Sequence, residues 1–135
     1  MRNCLVIDLD RCSGCDSCIA ACKHENGIAL GVYRSTVDRM GPIGEWPRPQ
    51  QYWIPRQCQQ CDNAPCLEVC PTGATYREDE YGIIVVDQEQ CIGCQQCMTA
   101  CPFDARWFDE ENSVVDKCDC CLAKLKEGEK PACVH

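Results

Sequence analysis

The stretch QCIGCQQCMTACP, residues 90–102, decides how this chain is to be read. Its four cysteines follow the spacing C-x2-C-x2-C-x3-C, and a proline comes next. RCSGCDSCIAACK, residues 11–23, repeats the spacing with Cys12, Cys15, Cys18 and Cys22. The likeness runs further upstream. VIDLDRCSGCDSCIAAC and VVDQEQCIGCQQCMTAC align without a gap at an offset of 79, so that Val6, Asp8, Gly14 and Ala21 match Val85, Asp87, Gly93 and Ala100. A second group, QCQQCDNAPCLEVCP, holds Cys58, Cys61, Cys66 and Cys70. A fourth, KCDCCLAKLKEGEKPAC, holds Cys118, Cys121 and Cys133, one short of the others. The second and fourth correspond more loosely: both open on C-x2-C and reach a cysteine beside Ala and Pro. Cys4 and Cys120 lie outside the pattern. Groups one and two, then three and four, read as one architecture used twice.

Three thiols two residues apart lie on one tight loop, where they can meet three corners of a single [4Fe–4S] cubane. The fourth begins a turn leading away, and in the bacterial run C-x2-C-x2-C-x3-C-P it ligates the other cluster of a pair. Gly14 and Gly93 lie inside the loops, where a Cβ would crowd the cluster or demand an unfavourable φ. Pro71 and Pro102 end any helix after the fourth cysteines. Zinc uses C-x2-C half-sites but needs only two, which leaves the third cysteine of each run surplus. Disulfides fare worse, because cysteines this close give strained and competing pairings. Groups one to three therefore point to iron–sulfur clusters; group four is weaker on spacing alone.

Seventeen cysteines in 135 residues outweigh every other compositional signal. The thin complement of large apolar residues and the eight prolines make a small core that needs cross-links. A formal charge of −8 and the lack of a basic run with aromatics speak against nucleic acid. No apolar run approaches the roughly 20 residues of a membrane helix. Asp8 and Asp10 stand where a signal peptide would be apolar. With no address of its own, the chain fits the cytoplasm, or a periplasm reached on a signal-bearing partner. There is no G-x-S-x-G, phosphate loop or nucleotide fingerprint, so no catalytic residue is assigned.

GIIVVD (82–87) reads as a short strand, with CLVIDLD (4–10) as its counterpart. IAAC and MTAC suit a helical turn, and DCCLAKLKEG a weak helix closed by Gly128. Cys4 and Cys120 read as buried small apolar residues, or as stand-ins for a missing ligand. Asp104, where the second group has Gly73, suits a left-handed backbone. His24 and His135 read as surface residues. Lys23, Arg56 and Lys117 flank cluster loops, either as surface cations or as charges that raise cluster potentials. Residues 24–57 carry Trp46, Tyr52 and Trp53 among four prolines, which could anchor a partner or pack over the clusters.

IPRQCQQCDNAPCLEVCPTGATY, QCIGCQQCMTACPF and KCDCCLAKLKEGEKPACV together resemble the four-cluster ferredoxin-type electron-transfer subunits of the molybdopterin oxidoreductases. These partner dimethyl sulfoxide, polysulfide, thiosulfate, tetrathionate and arsenate reductases. The resemblance spans nearly the whole chain apart from 24–54. It implies a small, loop-rich α+β fold of two bacterial ferredoxin-like halves stabilised by clusters: one domain over 1–135, half one about 1–80 with an insertion at 24–57, half two about 81–135. It also implies that Cys58, Cys61 and Cys66 share a cluster with Cys101, and Cys91, Cys94 and Cys97 with Cys70. Cys118, Cys121 and Cys133 share one with Cys22, and Cys12, Cys15 and Cys18 hold the fourth. Its last ligand in the family follows in a PACV-x2-CP string, two residues past His135, so the natural chain is expected to continue there. The implied partners are a large molybdenum- or tungsten-pterin catalytic subunit and a membrane anchor, quinol or cytochrome. Subunits of tungsten aldehyde oxidoreductases, formate dehydrogenases or hydrogenase complexes, a free polyferredoxin, and a zinc-stabilised interaction module are the alternatives.

Overall fold

The computed structural model describes residues 4–134. Three two-stranded antiparallel sheets alternate with short helices among the described residues. Helix α1, Ser17–Asn26, opens the regular structure. Strands β1 (Ser35–Ile43) and β2 (Gln50–Gln57) form a long hairpin. Then come α2 (Pro65–Glu68), the pair β3 (Thr75–Arg77) and β4 (Ile84–Val86), and α3 (Gln96–Thr99). The pair β5 (Arg106–Asp109) and β6 (Val114–Lys117) precedes α4 (Leu122–Lys126) and a closing 3-10 turn, Ala132–Val134.

Proline decides the helix lengths. Pro71 and Pro102 follow Cys70 and Cys101, and α2 and α3 stop after four residues. Lys23 follows Cys22 instead, so α1 runs for ten residues, until Gly27 takes a left-handed turn at φ +58. Gly128, at φ +78, lies just beyond α4, as the sequence suggested.

GIIVVD forms its strand because β3 pairs with it, Thr75 opposite Val86. Its counterpart CLVIDLD does not: residues 4–8 are irregular, a turn follows, and Val6 is 85% exposed. No partner strand reaches it, and an unpaired apolar alternation has nothing to bury against. The segment read only as a proline-rich insertion contains the longest strands among the described residues. Its prolines fall in the irregular stretch and at Pro55, opposite Val37 in a ladder with a single neighbour, where a missing N–H is tolerated.

The core is small and built partly from thiols. Ala64, Cys66, Ile84, Cys97 and Val115 are its buried centre, with Leu67, Val69, Met98 and Phe108 packed around them. β4 and β6 bring Ile84 and Val115 together between the second and third cysteine groups.

Candidate iron–sulfur centres

Two cavities open where the sequence joins cysteines from different groups. One is lined by Cys58, Cys61, Cys66 and Cys101, with Ala64, Ile84 and Arg106. The other is lined by Cys70, Cys91, Cys94 and Cys97, with Thr75 and Val115. Backbone N–H groups already point at these sulfurs. Thr75 N donates to Cys70 Sγ at 3.4 Å, Ala105 N to Cys101 Sγ at 3.5 Å and Val115 N to Cys91 Sγ at 3.5 Å. Such donors stabilise thiolates and tune clusters.

A third assembly gathers Cys22, Cys118, Cys121 and Cys133. Burial and the neighbouring Cys118 push the Cys22 thiol up to about 11, with Cys121 and Cys133 adding to the shift and Arg34 opposing it. Cys133 is likewise raised, by burial first and then by Cys118 and Cys121. Asn26 Nδ2 reaches Cys22 Sγ at 3.7 Å and Cys121 Sγ at 4.0 Å, bridging two of the four. Cys118 goes the other way, lowered to about 7 through its hydrogen bond with Cys120; the raised pair would ionise only with a cation beside it.

Cys12 and Cys15 lie on the loop before α1 and Cys18 in its first turn, with Cys15 exposed. Hydrogen bonding with Ser17 lowers the Cys15 thiol, while burial raises Cys18. Cys133, of the third assembly, also feels the charge of Cys18. Cys4 is exposed, which corrects its reading as a buried residue. Cys120 is half-buried beside Cys118, Lys117 and Cys58, in the neighbourhood of the second and fourth groups rather than the first. His24 is exposed; His135 lies outside the described residues.

The chain wraps these sites with left-handed residues. Gly14 and Asp16 in the first loop, and Gly93 and Gln95 in the third, have φ between +58 and +67. A Cβ at Gly14 would strike the Trp53 indole, and one at Gly93 the Ser113 carbonyl. The crowding expected at these glycines thus comes from protein atoms. Asp104 takes φ +49, and Gly73 takes φ +71 at the matching place.

Three cations turn out differently. Lys117 is no surface cation: it is 2% exposed, and its Nζ donates to Ile84 O and, at 2.7 Å, to Cys118 O. Arg56 is exposed and pairs with Asp38 at 2.8 Å. Lys23 Nζ donates to Ala29 O and Val32 O, each at 2.7 Å, over the Tyr33 ring. Sequence reasoning missed Arg34 and Arg106. Arg34 forks onto Asp116 at 2.8 and 3.0 Å and also reaches Asp119 and Asn26, tying α1 to β6. Arg106 is 6% exposed between the two cavities. The one signal for it was the comparison of CPTGAT with CPFDAR, which sets Arg106 against Thr75.

Among the described residues no three His, Cys, Asp or Glu groups are grouped to hold a single metal ion. Four sulfurs around zinc would stand within about 4 Å of one another, at a Zn–S distance of about 2.3 Å. The thiols lining the two cavities instead accept backbone N–H donors at Cys70, Cys91 and Cys101, a donor set suited to a cluster.

This is the arrangement of an iron–sulfur protein of ferredoxin type. Residues 49–135 match the family described as "4Fe-4S dicluster domain", and residues 9–34 match a "4Fe-4S binding domain". The chain belongs to the 4Fe-4S dicluster domain family. It is 42% identical to a tetrathionate reductase subunit of Salmonella typhimurium over 99% of this chain and 54% of that one. Protein NrfC of Escherichia coli K12 is 42% identical over 97% of this chain and 59% of its own. The thiosulfate reductase electron transfer subunit PhsB of Salmonella typhi is 44% identical, over 94% and 67%. The chain therefore spans little more than half to two thirds of these relatives. Among the described residues no helix is long and apolar enough to cross a membrane.

Proposed function

We propose that this chain relays electrons through four [4Fe–4S] clusters, to or from the molybdopterin or tungstopterin catalytic subunit of an oxidoreductase complex. Cys58, Cys61, Cys66 and Cys101 hold one cluster, and Cys91, Cys94, Cys97 and Cys70 a second. Cys118, Cys121, Cys133 and Cys22 hold a third, and Cys12, Cys15 and Cys18 belong to the fourth. The observation that carries the reading is the pair of cavities in which cysteines distant in sequence ring a common space, with backbone N–H groups on their sulfurs. Each cluster, when bound, accepts and gives up one electron. A cluster whose irons are all held by cysteine has no open position for substrate, so the subunit carries electrons and leaves catalysis to its partner.

The chain is read as one iron–sulfur domain of two ferredoxin-like halves, half one about 1–80 and half two about 81–135. This is supported by the ungapped match of residues 6–22 with 85–101, one in each half. The β1–β2 hairpin is the feature a free carrier would not need. Its tip presents Trp46 in the turn at 89% and Ile43 at the end of β1 at 52% exposure, which suits contact with a larger subunit. The chemistry of the relatives' names, tetrathionate and thiosulfate reduction, supports a catalytic partner of that class.

Purification of the native complex with metal analysis tests the reading. The expected result is a large pterin-bearing chain and about 16 irons per copy of this one, four for each of four cubanes. A colourless protein carrying zinc would overturn it.

A further inference from the structure

Thr75 and Arg106 occupy the same place in their two runs, five residues after Cys70 and Cys101. Each opens the strand that follows. The two side chains meet: Arg106 Nη1 donates to Thr75 Oγ1 at 3.3 Å. Both residues are buried, at 6% and 4% exposure. Arg106 lines the cavity of Cys58, Cys61, Cys66 and Cys101, and Thr75 that of Cys70, Cys91, Cys94 and Cys97. Their hydrogen bond therefore runs along the seam between the two sites.

Arg106 Nη2 is buried and has no hydrogen-bond partner. A guanidinium carries five donors and keeps its charge at every accessible pH. A buried donor left unsatisfied is costly and calls for an explanation. The groups that could accept from it here are thiolates or inorganic sulfides of a cluster.

We propose that Arg106 is a positioning charge shared by two neighbouring clusters, a fixed buried cation that raises the reduction potential of both and makes this pair the preferred resting place for an electron in the relay. The inference rests on the cluster assignment above. Reduction of either site takes one electron from the redox partner and binds no proton, so each step adds one negative charge beside the guanidinium. Coulomb attraction in a buried setting favours the reduced form of whichever cluster holds the electron.

The test is a redox titration followed by electron paramagnetic resonance on the native complex, with iron counted per chain, for Arg106→Gln and Arg106→Lys. With Gln and full iron, two of the one-electron steps should shift together to harder reduction. At least a tenfold change in the reduction equilibrium is expected, about 59 mV for one electron. The other steps should hold, and Lys should restore near-native values. If Gln loses iron while Lys keeps it at near-native potentials, retention depends on the charge and the proposal stands. A fully loaded Gln variant with unmoved potentials overturns it. So does loss of iron in both variants, which makes Arg106 a brace instead. Absence of iron from the unsubstituted chain would instead fail the cluster reading itself.

Discussion

The two ungapped cysteine runs, 12–22 and 91–101, share one cysteine spacing in different company. The later run is enclosed. Phe108 and the Ser113 carbonyl close over Gly93, Val115 donates to Cys91, and Cys97 is part of the core. The earlier run has no such hairpin of its own. Its upstream segment stays unpaired, Cys18 is half-buried where the matching Cys97 is buried, and the group pressed against Gly14 is Trp53 from β2. Where Pro102 stops α3, α1 continues past Cys22 and is secured by Arg34 to Asp116 and Asp119. A ligand motif thus specifies the loop around a cluster, while its burial and exposure are set by whatever the rest of the chain lays over it.

The largest effect expected comes from removing iron. Among the described residues, eleven core positions below a tenth exposed, four of them cysteines, are a thin basis for a 135-residue chain. Chelation under reducing conditions should abolish cooperative thermal unfolding by circular dichroism. Retention of a sharp transition in iron-free protein would refute the dependence. Next is Arg34→Leu, which leaves Asp116 buried without its ion-pair partner. The expected loss is about 3 kcal/mol by chemical denaturation, and the run 12–22 should become the more easily exchanged in hydrogen–deuterium exchange. If the two runs stay equally protected, Arg34 is not what secures the first.

The glycines sharpen the comparison at smaller cost. Both need a left-handed backbone, which any Cβ penalises by roughly 1–2 kcal/mol. At Gly93 the added methyl also meets backbone at Ser113, which yields only if the β5–β6 turn moves; at Gly14 it meets a side chain. Gly93→Ala should therefore destabilise more than Gly14→Ala, by about 1 kcal/mol or more. Equal losses would mean that the backbone penalty alone decides.

The cysteine groups stand out in the sequence because their spacing is strict. The joined cavities follow the family pattern at Cys101 and Cys70. The left-handed turn at Asp104 was legible because Gly73 occupies the matching place. Gly128 was legible because a helix needs such a stop. Strand CLVIDLD failed because alternation reports a willingness to pair, and pairing needs a neighbour that only the tertiary fold supplies. The β1–β2 hairpin was hidden by its own prolines, which count against a strand unless it is known to have a free edge. Lys117 and Arg106 were hidden for a different reason. A cation's burial depends on what acceptors the fold brings to it, here Ile84 O, Cys118 O and Thr75 Oγ1, and none of these is visible as a pattern along the chain.

The smallest structural change is predicted to separate the two runs most selectively. Trp53 belongs to β2, opposite Arg39, so its backbone is held by the hairpin whatever its side chain. Trp53→Ala should leave that ladder intact and uncover Gly14 alone, admitting water and oxygen to the loop of Cys12, Cys15 and Cys18. Cluster oxidation begins where solvent reaches sulfide and iron. In air the variant should lose one cluster's worth of iron several-fold faster than the unsubstituted chain, with the remaining iron lost at an unchanged rate. The matching change on the other side, Phe108→Ala, opens a site still roofed by the Ser113 carbonyl and Val115, and should accelerate loss less. If Phe108→Ala proves the more damaging to air stability, the enclosed run owes its protection to that ring, and the contrast between the two runs reduces to which aromatic covers each glycine.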